Sequence, residues 1–496
     1  MQLKELASQL AVSRILGDAE TEFTGIQTDS RKVRPGDLFL CIPGLVTDGH
    51  QFAAKAVELG AAALVVEHDV DVNVPKLLVK DSRYAMAVIA NYFYGYPSRE
   101  MKLIGVTGTN GKTTSTYLID AILSDQGFRT GLMGTIQMKI GSEITLMERT
   151  TLEAIDLQRN LRLMADAGTD YCVMEVSSHA LDLGRVKGCG FRTGIFTNLT
   201  QDHLDYHETM EQYQAAKGLL FSRMGNEFHG DPSRHSYAVL NADDPASDYY
   251  AKQTAAQVIT YGIDRQADVR AEDIQITSKG TRFRCVTFRG TADFHTRLVG
   301  KFNVYNALGA ITAALLEGIP IEAVKQSLEA VQSVDGRMEV VDGGQPFLVL
   351  VDYAHTPDGL ENALSTIKQF AAGRIITVFG CGGDRDRKKR PLMGKVAASY
   401  SDYLYVTSDN PRSEDPRSIL EDIIPGIEQA GMSSDRFELI ADRREAIQKA
   451  VAQATSDDVV LIAGKGHETY QEIMGVKHDF DDRKVAKEAI RGRYRD

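Results

Sequence analysis

Seven consecutive residues, Gly108, Thr109, Asn110, Gly111, Lys112, Thr113 and Thr114, have the composition of a phosphate-binding turn. Small residues let backbone N–H groups approach an anion. A lysine can reach the terminal phosphate oxygens, and the hydroxyl that follows it can bind Mg2+. The strict pattern wants a glycine where Val106 stands. The context supports the reading nonetheless. MKLIGV before the turn reads as a buried strand and STYLIDAILSDQG after it as a helix, so the turn lies where helix dipoles favour negative charge.

Three further residue types suit a nucleotide-and-metal site. Glu175 closes the apolar strand VMEVSSHA, where a carboxylate can serve as a metal ligand or as a structural acceptor. His203 follows another strand in NLTQDHLDYH, with Asp202, Asp205 and His207 close by. Taken singly, such a histidine caps or packs more often than it ligates. Alongside a phosphate loop the set points to metal-dependent nucleotide chemistry. Lys217, in YQAAKGLLF, is by its residue type an ordinary helical lysine. CO2 could convert its amine into an anionic carbamate, a carboxylate-like ligand.

The elements that must position these residues follow from the rest of the chain. A length of 496 residues predicts about three domains. With 56 Lys+Arg against 68 Asp+Glu the net charge is −12, which argues against a partner bound by phosphate neutralisation, so no nucleic acid is expected. No apolar run approaches the ~20 residues of a membrane span, and MQLKELASQL reads as an amphipathic helix, not a signal peptide. The five cysteines lack metal-ligand spacing. A soluble cytoplasmic protein is expected. GDLFLCI, AALVVE and KLLVK alternate with helical stretches as a small α/β domain over residues 1–98, closed by a Gly95–Ser98 hinge. Residues 99–333 form a mostly parallel sheet around the phosphate loop, with an antiparallel patch near residues 254–298. From about Val334–Gly336 onward, FLVLVDYAH, RIITVFGCGG, DYLYVTSDN and DVVLIAGKG are four apolar strands ending in polar loops, as in a doubly wound sheet over residues 334–496.

TGTNGKTT, MEVSSHAL, NLTQDHLDYH, YQAAK, GKFNVYNALGA, GRME, VDYAHTP, GCGGDRDRKKRPLM, SDNPR and AGKGHETYQ occur in an order that resembles the Mur ligases over nearly the whole chain. The resemblance is strongest to the members that add diaminopimelate. It implies an α/β protein of three domains: an N-terminal UDP-binding domain, a central P-loop ATPase and a C-terminal Rossmann-like domain. It implies a monomeric, cytoplasmic enzyme of peptidoglycan precursor synthesis, using ATP and Mg2+ to couple meso-diaminopimelate to UDP-MurNAc-L-Ala-D-Glu. Lys217 is similar to the family's carbamylated lysine (N6-carboxylysine). With Thr113, Glu175 and His203 it would hold Mg2+, and Lys112 would act beside them. Asn306 and Arg337 resemble further ATP contacts. Ser30, Leu45, Val46 and Thr47 match residues that touch the UDP-sugar. Thr150, Thr151, Ser177 and Arg185 match residues that hold the muramyl dipeptide, although Leu152 and Leu183 depart from the family pattern there. Asp352 and His355 lie at a strand end with structural and catalytic roles equally open.

The incoming amino acid would meet Arg385, Asp409, Asn410, Pro411, Arg412, Gly464 and Glu468. Diaminopimelate carries a carboxylate at its far end and lysine does not, and a guanidinium fork suits that group. Glu468 would pair with the neighbouring ammonium. The alternatives are an L-lysine-adding member, a folylpolyglutamate synthase-like ligase, or a nucleotide-dependent switch that makes no amide.

Overall fold

The computed structural model describes residues 1–44, 47–147, 150–277 and 279–493. The chain divides into two compact units. One comprises Met1–Thr107, Phe128–Gly194 and Leu219–Tyr237, the other Gly108–Gly127, Ile195–Gly218 and Ala238–Asp496.

In the first unit a five-stranded sheet runs Ser13–Leu16, Lys76–Val79, Ala63–Val66, Asp37–Leu40, Gly25–Gln27 in space. Only the Ser13–Leu16 strand is antiparallel to its neighbour. Its middle strands are apolar at nearly every position because both faces are covered. Leu38, Leu40, Ala63 and Val65 pack with Ala85, Met86 and Ile89 of the helix Ser82–Phe93. Phe39, Leu64 and Val66 pack with Ala53 and Ala56 of the helix Ala53–Glu58. Asp81 starts the longer helix by accepting from Tyr84 N–H at 2.9 Å. The same unit holds three parallel strands, Lys102–Thr107, Tyr171–Glu175 and Thr130–Met133, with Tyr171–Glu175 in the middle. Glu175 ends its strand in register with Val106.

In the second unit the antiparallel patch expected near residues 254–298 is built from Val269–Thr277, Gly280–Thr287 and Gly290–Thr296. Phe283 and Phe294 stack across it at 5.3 Å. The helix Lys301–Leu316 is buried along almost its whole length, which accounts for its long run of small and apolar residues. The C-terminal sheet has the spatial order Glu339–Val340, Leu348–Asp352, Val459–Ala463, Ile375–Phe379, Tyr403–Thr407, Phe437–Ile440. All its neighbours are parallel except the first pair. Alternate residues serve two cores. Leu350, Phe379 and Leu461 face Leu360, Met393 and Ile423, while Val351, Val378 and Ile462 face Ile447, Val451 and Val485. Helices therefore cover both faces, and the polar loops gather beyond the strands' carboxyl ends. No helix among the described residues is long and apolar enough to cross a membrane.

Candidate active site

The phosphate loop lies in the second unit. Gly111 sits at φ 85° just before the helix Lys112–Asp125. A Cβ at Gly108 would collide with Thr197 Oγ1, and one at Gly111 with Asn306 Oδ1. Both positions therefore require glycine for space as well as for conformation. Thr197 Oγ1 donates to Asn110 O at 2.6 Å, and Asn198 Oδ1 accepts from Asn110 N–H at 2.9 Å. Lys112 Nζ donates to Gly108 O at 2.9 Å and Thr109 O at 2.8 Å, so the lysine is folded over its own loop. Arg337 donates to Thr113 Oγ1 at 3.0 Å, and its guanidinium lies 4.6 Å over the Tyr353 ring. Asn110 Nδ2 donates to Asp358 at 2.6 Å. A cavity of about 450 Å³ opens here, lined by Asn110, Gly111, Thr114, Tyr305, Asn306 and Arg337 among others. Its size and mixed lining suit a nucleotide. Asn306 is buried, with its amide donating to Asn303 Oδ1 at 3.1 Å.

Lys217 lies in the same unit, fully buried. Its ammonium donates to Gly108 O at 2.9 Å and lies 4.3 Å from the Tyr213 ring centroid. Burial first, and the charge of Lys112 second, depress its pKa well below the ordinary lysine value, with Asp202 opposing them. Burial would raise the Asp202 pKa, but the charges of His203, His355 and Lys389 outweigh it and hold the carboxyl at about 2. Asp202 accepts from His203 N–H at 2.9 Å and lies 3.3 Å from its Nε2. His203 itself is at φ 55°, a left-handed conformation that a histidine holds only where the surroundings fix it. Asp352, left open between two roles by its sequence, is buried and accepts from Met338 and Ala354 N–H groups at 2.7 and 2.8 Å, which makes it the anchor of its turn. His355 is held neutral by burial and by the charge of Lys389, with its pKa lowered to about 4.

In the first unit Thr150, Thr151, Glu175, Ser177 and Arg185 form one connected network. Thr151 Oγ1 donates to Glu175 O at 2.9 Å and accepts from Ser177 N–H at 3.1 Å. Arg185 donates to Thr151 O at 3.2 Å and pairs with Glu153 at 2.7 Å. Thr135 N–H and Oγ1 donate to the Glu175 carboxylate at 2.8 and 3.0 Å, and Thr135 Oγ1 lies 3.1 Å from that of Thr150. Ser30 is buried at the head of a turn that Asp29 caps. Thr47 is exposed, its carbonyl accepting from Gly44 N–H at 2.9 Å. Leu45 and Val46 lie outside the described residues.

The loops beyond the C-terminal sheet bring most of the remaining set together. Asn410 Nδ2 donates to Glu468 at 2.8 Å, and Lys465 Nζ reaches Asn410 Oδ1 at 3.0 Å and Glu468 at 2.8 Å. Arg412 is at φ 51°, donates to Gly383 O at 2.7 Å and lies 3.4 Å from Glu472. Pro411 is buried with its carbonyl against Gly383, and Asp409 packs against Gly464. Arg385 donates to Asp384 O at 3.0 Å, and its side chain and the Arg412 guanidinium both approach Gly382.

Three family profiles cover most of the chain. The Mur ligase family catalytic domain matches residues 22–94, the Mur ligase middle domain residues 106–314, and the Mur ligase glutamate ligase domain residues 336–466. A Bacillus cereus protein named UDP-N-acetylmuramoyl-L-alanyl-D-glutamate–2,6-diaminopimelate ligase is 52% identical over 493 residues, covering 99% of each chain. The chain belongs to the Mur ligase family. A solved structure of a Mur ligase with that same name is 35% identical, with 100% and 99% of the two chains covered and a TM-score of 0.68. The fold also matches a MurF ligase from Thermotoga maritima in complex with ADP, at 18% identity, TM-score 0.65 and 97% and 98% coverage.

Several residues that shape this Mur ligase's site escaped the sequence reading. Thr135 and Thr197 carry no motif, because each acts on a residue 40 or more positions away. Lys465, inside AGKGHETYQ, could have been singled out, since a lysine between two glycines in a strand-end loop has no solvated face to occupy. In GCGGDRDRKKR the charges divide by role. Arg390 is completely buried between Glu414 and Asp422, at 2.7 and 2.8 Å, and braces the loop that presents Arg385.

Proposed function

We propose that this chain is the ATP-dependent ligase that joins meso-2,6-diaminopimelate to the D-glutamate of UDP-MurNAc-L-Ala-D-Glu, in cytoplasmic peptidoglycan precursor synthesis. The observation that carries the reading is the pair of strand-end loops in the C-terminal sheet. The guanidinium of Arg412 and the carboxylate of Glu468 stand on two loops cross-linked through Asn410 and Lys465. A zwitterionic carbon needs both charges, and only diaminopimelate carries one at its far end. Half-identity over the full length to relatives of that name supports the same choice.

In the reaction, the D-glutamate side-chain carboxylate attacks the ATP γ-phosphorus. A P–O bond forms, ADP departs, and an acyl phosphate results. The diaminopimelate amine then attacks the acyl carbon, the C–N bond forms with loss of a proton, and inorganic phosphate leaves. Two anions must approach in the first step, so the cation of Lys112 and the loop N–H groups are placed to offset their repulsion. Asn110, Asn306 and Arg337 would hold the nucleotide. Ser30, Leu45, Val46 and Thr47 would meet the UDP-sugar, and Thr150, Thr151, Ser177 and Arg185 the dipeptide. Arg385, Asp409, Asn410, Pro411, Arg412, Gly464 and Glu468 would receive the amino acid.

Mg2+ prefers oxygen donors and shares them with substrate phosphates. Among the described residues no group of three or more His, Cys, Asp or Glu side chains forms a ready metal site. Thr113, Glu175, His203 and Lys217 would serve as the ion's ligands, the lysine through a carbamate oxygen. When bound, the ion supplies charge neutralisation at the phosphates. The depressed pKa of Lys217 favours the free amine that CO2 requires. We assign residues 1–98, 99–333 and 334–496 to UDP-sugar binding, ATP binding and amino-acid binding in a monomer.

Phosphate release from ATP is the test. A ligase releases phosphate only when both the UDP-dipeptide and the amino acid are present. A nucleotide switch would release it without them, and a folate-type ligase would ignore the UDP-dipeptide.

A further inference from the structure

Beneath the two amino-acid loops lies an ion pair that no motif marks. Arg443 opens the helix Arg443–Gln453 and Asp482 opens the helix Asp482–Arg493; both side chains are wholly buried. The pair is bidentate, with Arg443 Nε to Asp482 Oδ1 at 2.8 Å and Nη2 to Oδ2 at 2.7 Å. The guanidinium's remaining reach goes to two main-chain carbonyls. Nη2 donates to Ala463 O at 2.9 Å and Nη1 to Ser408 O at 3.4 Å.

Those two carbonyls are the last groups before the loops in question. Ser408 precedes the Asp409–Arg412 turn, and Ala463 precedes the Gly464–Glu468 loop. Their strands, Tyr403–Thr407 and Val459–Ala463, are not neighbours, because Ile375–Phe379 lies between them. Ladder hydrogen bonds therefore do not tie the two strand ends to each other directly. One planar fork spans the intervening strand and holds both, while Asp482 fixes the fork's orientation. A lysine cannot do this, since its single ammonium cannot face a carboxylate and two carbonyls in one plane.

We propose that Arg443 and Asp482 form a positioning pair that sets the spacing between the two loops, and that selection of diaminopimelate over L-lysine depends on it. The proposal rests on the ligase reading above. The carboxylate and ammonium of one carbon must be met by Arg412 from one loop and Glu468 from the other. A shift of one loop by a fraction of an ångström spoils both contacts together. Lysine lacks the carboxylate and so draws less from correct spacing. On that reading ATP and the UDP-dipeptide are assigned to residues outside these loops.

The test compares wild type with Arg443→Lys, with Asp482→Asn, and with the apolar pair Arg443→Met/Asp482→Leu, which keeps volume without leaving a lone buried charge. The KM for each of the three substrates, the ratio of kcat/KM for diaminopimelate over L-lysine, and the melting temperature are measured on the full chain. The expected result is a KM for diaminopimelate raised about tenfold and a selectivity ratio lowered by a similar factor. The KM values for ATP and UDP-dipeptide stay within about twofold. A folded variant with unchanged selectivity overturns the proposal. So does a parallel rise in all three KM values that tracks loss of melting temperature, the mark of a purely structural pair. Wild-type protein that couples no diaminopimelate overturns the underlying reading, and the pair's role in selectivity with it.

Discussion

Replacing Lys217 with arginine tests the proposed chemistry at its most unusual residue. The lysine ammonium is buried, is hydrogen-bonded only to Gly108 O at 2.9 Å, and has no carboxylate within 4.0 Å among the described residues. Such a group sheds its proton readily, and each unit of pKa depression is worth about 1.4 kcal/mol in favour of the neutral amine. A neutral amine can add CO2; a guanidinium does not deprotonate and cannot. The introduced guanidinium would keep a positive charge where the proposed chemistry places an anionic oxygen donor. Loss of one preorganised transition-state contact costs about 2.7–4 kcal/mol, a fall of about 10²–10³ in kcat. The assay is product formation with saturating substrates, in buffer purged of CO2 and then in the same buffer with bicarbonate restored. Wild type should lose and recover activity, with 13C-bicarbonate yielding a protein-bound carbamate signal. The Lys217→Arg variant should show neither. Full turnover in the variant, or wild-type activity indifferent to CO2, would refute the reasoning.

Other outcomes follow from single contacts. Gly111→Ala forces an L-residue to φ 85° and drives its methyl into the Asn306 carboxamide; a cost of about 1–2 kcal/mol for the conformation alone should lower kcat/KM for ATP about tenfold or more, with little change for diaminopimelate. Thr151→Val removes a hydroxyl that bridges Glu175 O and Ser177 N–H, and losing both contacts should lower stability by about 1–3 kcal/mol in chemical denaturation and raise the KM for the UDP-dipeptide. Burial, with the charge of Lys389 for His355 and of Arg337 for His467, lowers these pKa values to about 4 and about 3 from 6.5. Between pH 6.5 and 4 the unfolded chain takes up protons that the folded chain refuses. Their contribution is therefore full above pH 6.5 and is lost on acidification, at up to about 2.7 kcal/mol per pH unit for the two. Denaturation of the double His→Gln variant should show a shallower decline over that range than wild type; equal slopes would contradict the assignment.

What the sequence disclosed and what it hid divide by distance along the chain. The phosphate loop was legible because strand, turn and helix are contiguous and each glycine answers to a local constraint. The buried strands of the C-terminal sheet were legible because helices on both faces demand unbroken apolar runs. Ser13–Leu16, Gly25–Gln27 and Phe437–Ile440 are short edge strands with one face or end less covered, and their mixed composition gave no period to read. Arg443 was invisible for a different reason: its partners Ser408, Ala463 and Asp482 are 20 to 39 residues away. Arg387 and Arg390 show the limit of composition, since the same charged run holds an exposed arginine and a wholly buried one.

The most direct measurement offers meso-diaminopimelate and L-lysine side by side to the purified protein with ATP, Mg2+, bicarbonate and UDP-MurNAc-L-Ala-D-Glu, and weighs the product by mass spectrometry. The account predicts one amide-linked UDP-tripeptide carrying diaminopimelate, formed with one ADP and one phosphate, and little or none carrying lysine. Preferential incorporation of lysine, or ATP hydrolysis with no tripeptide, would contradict it.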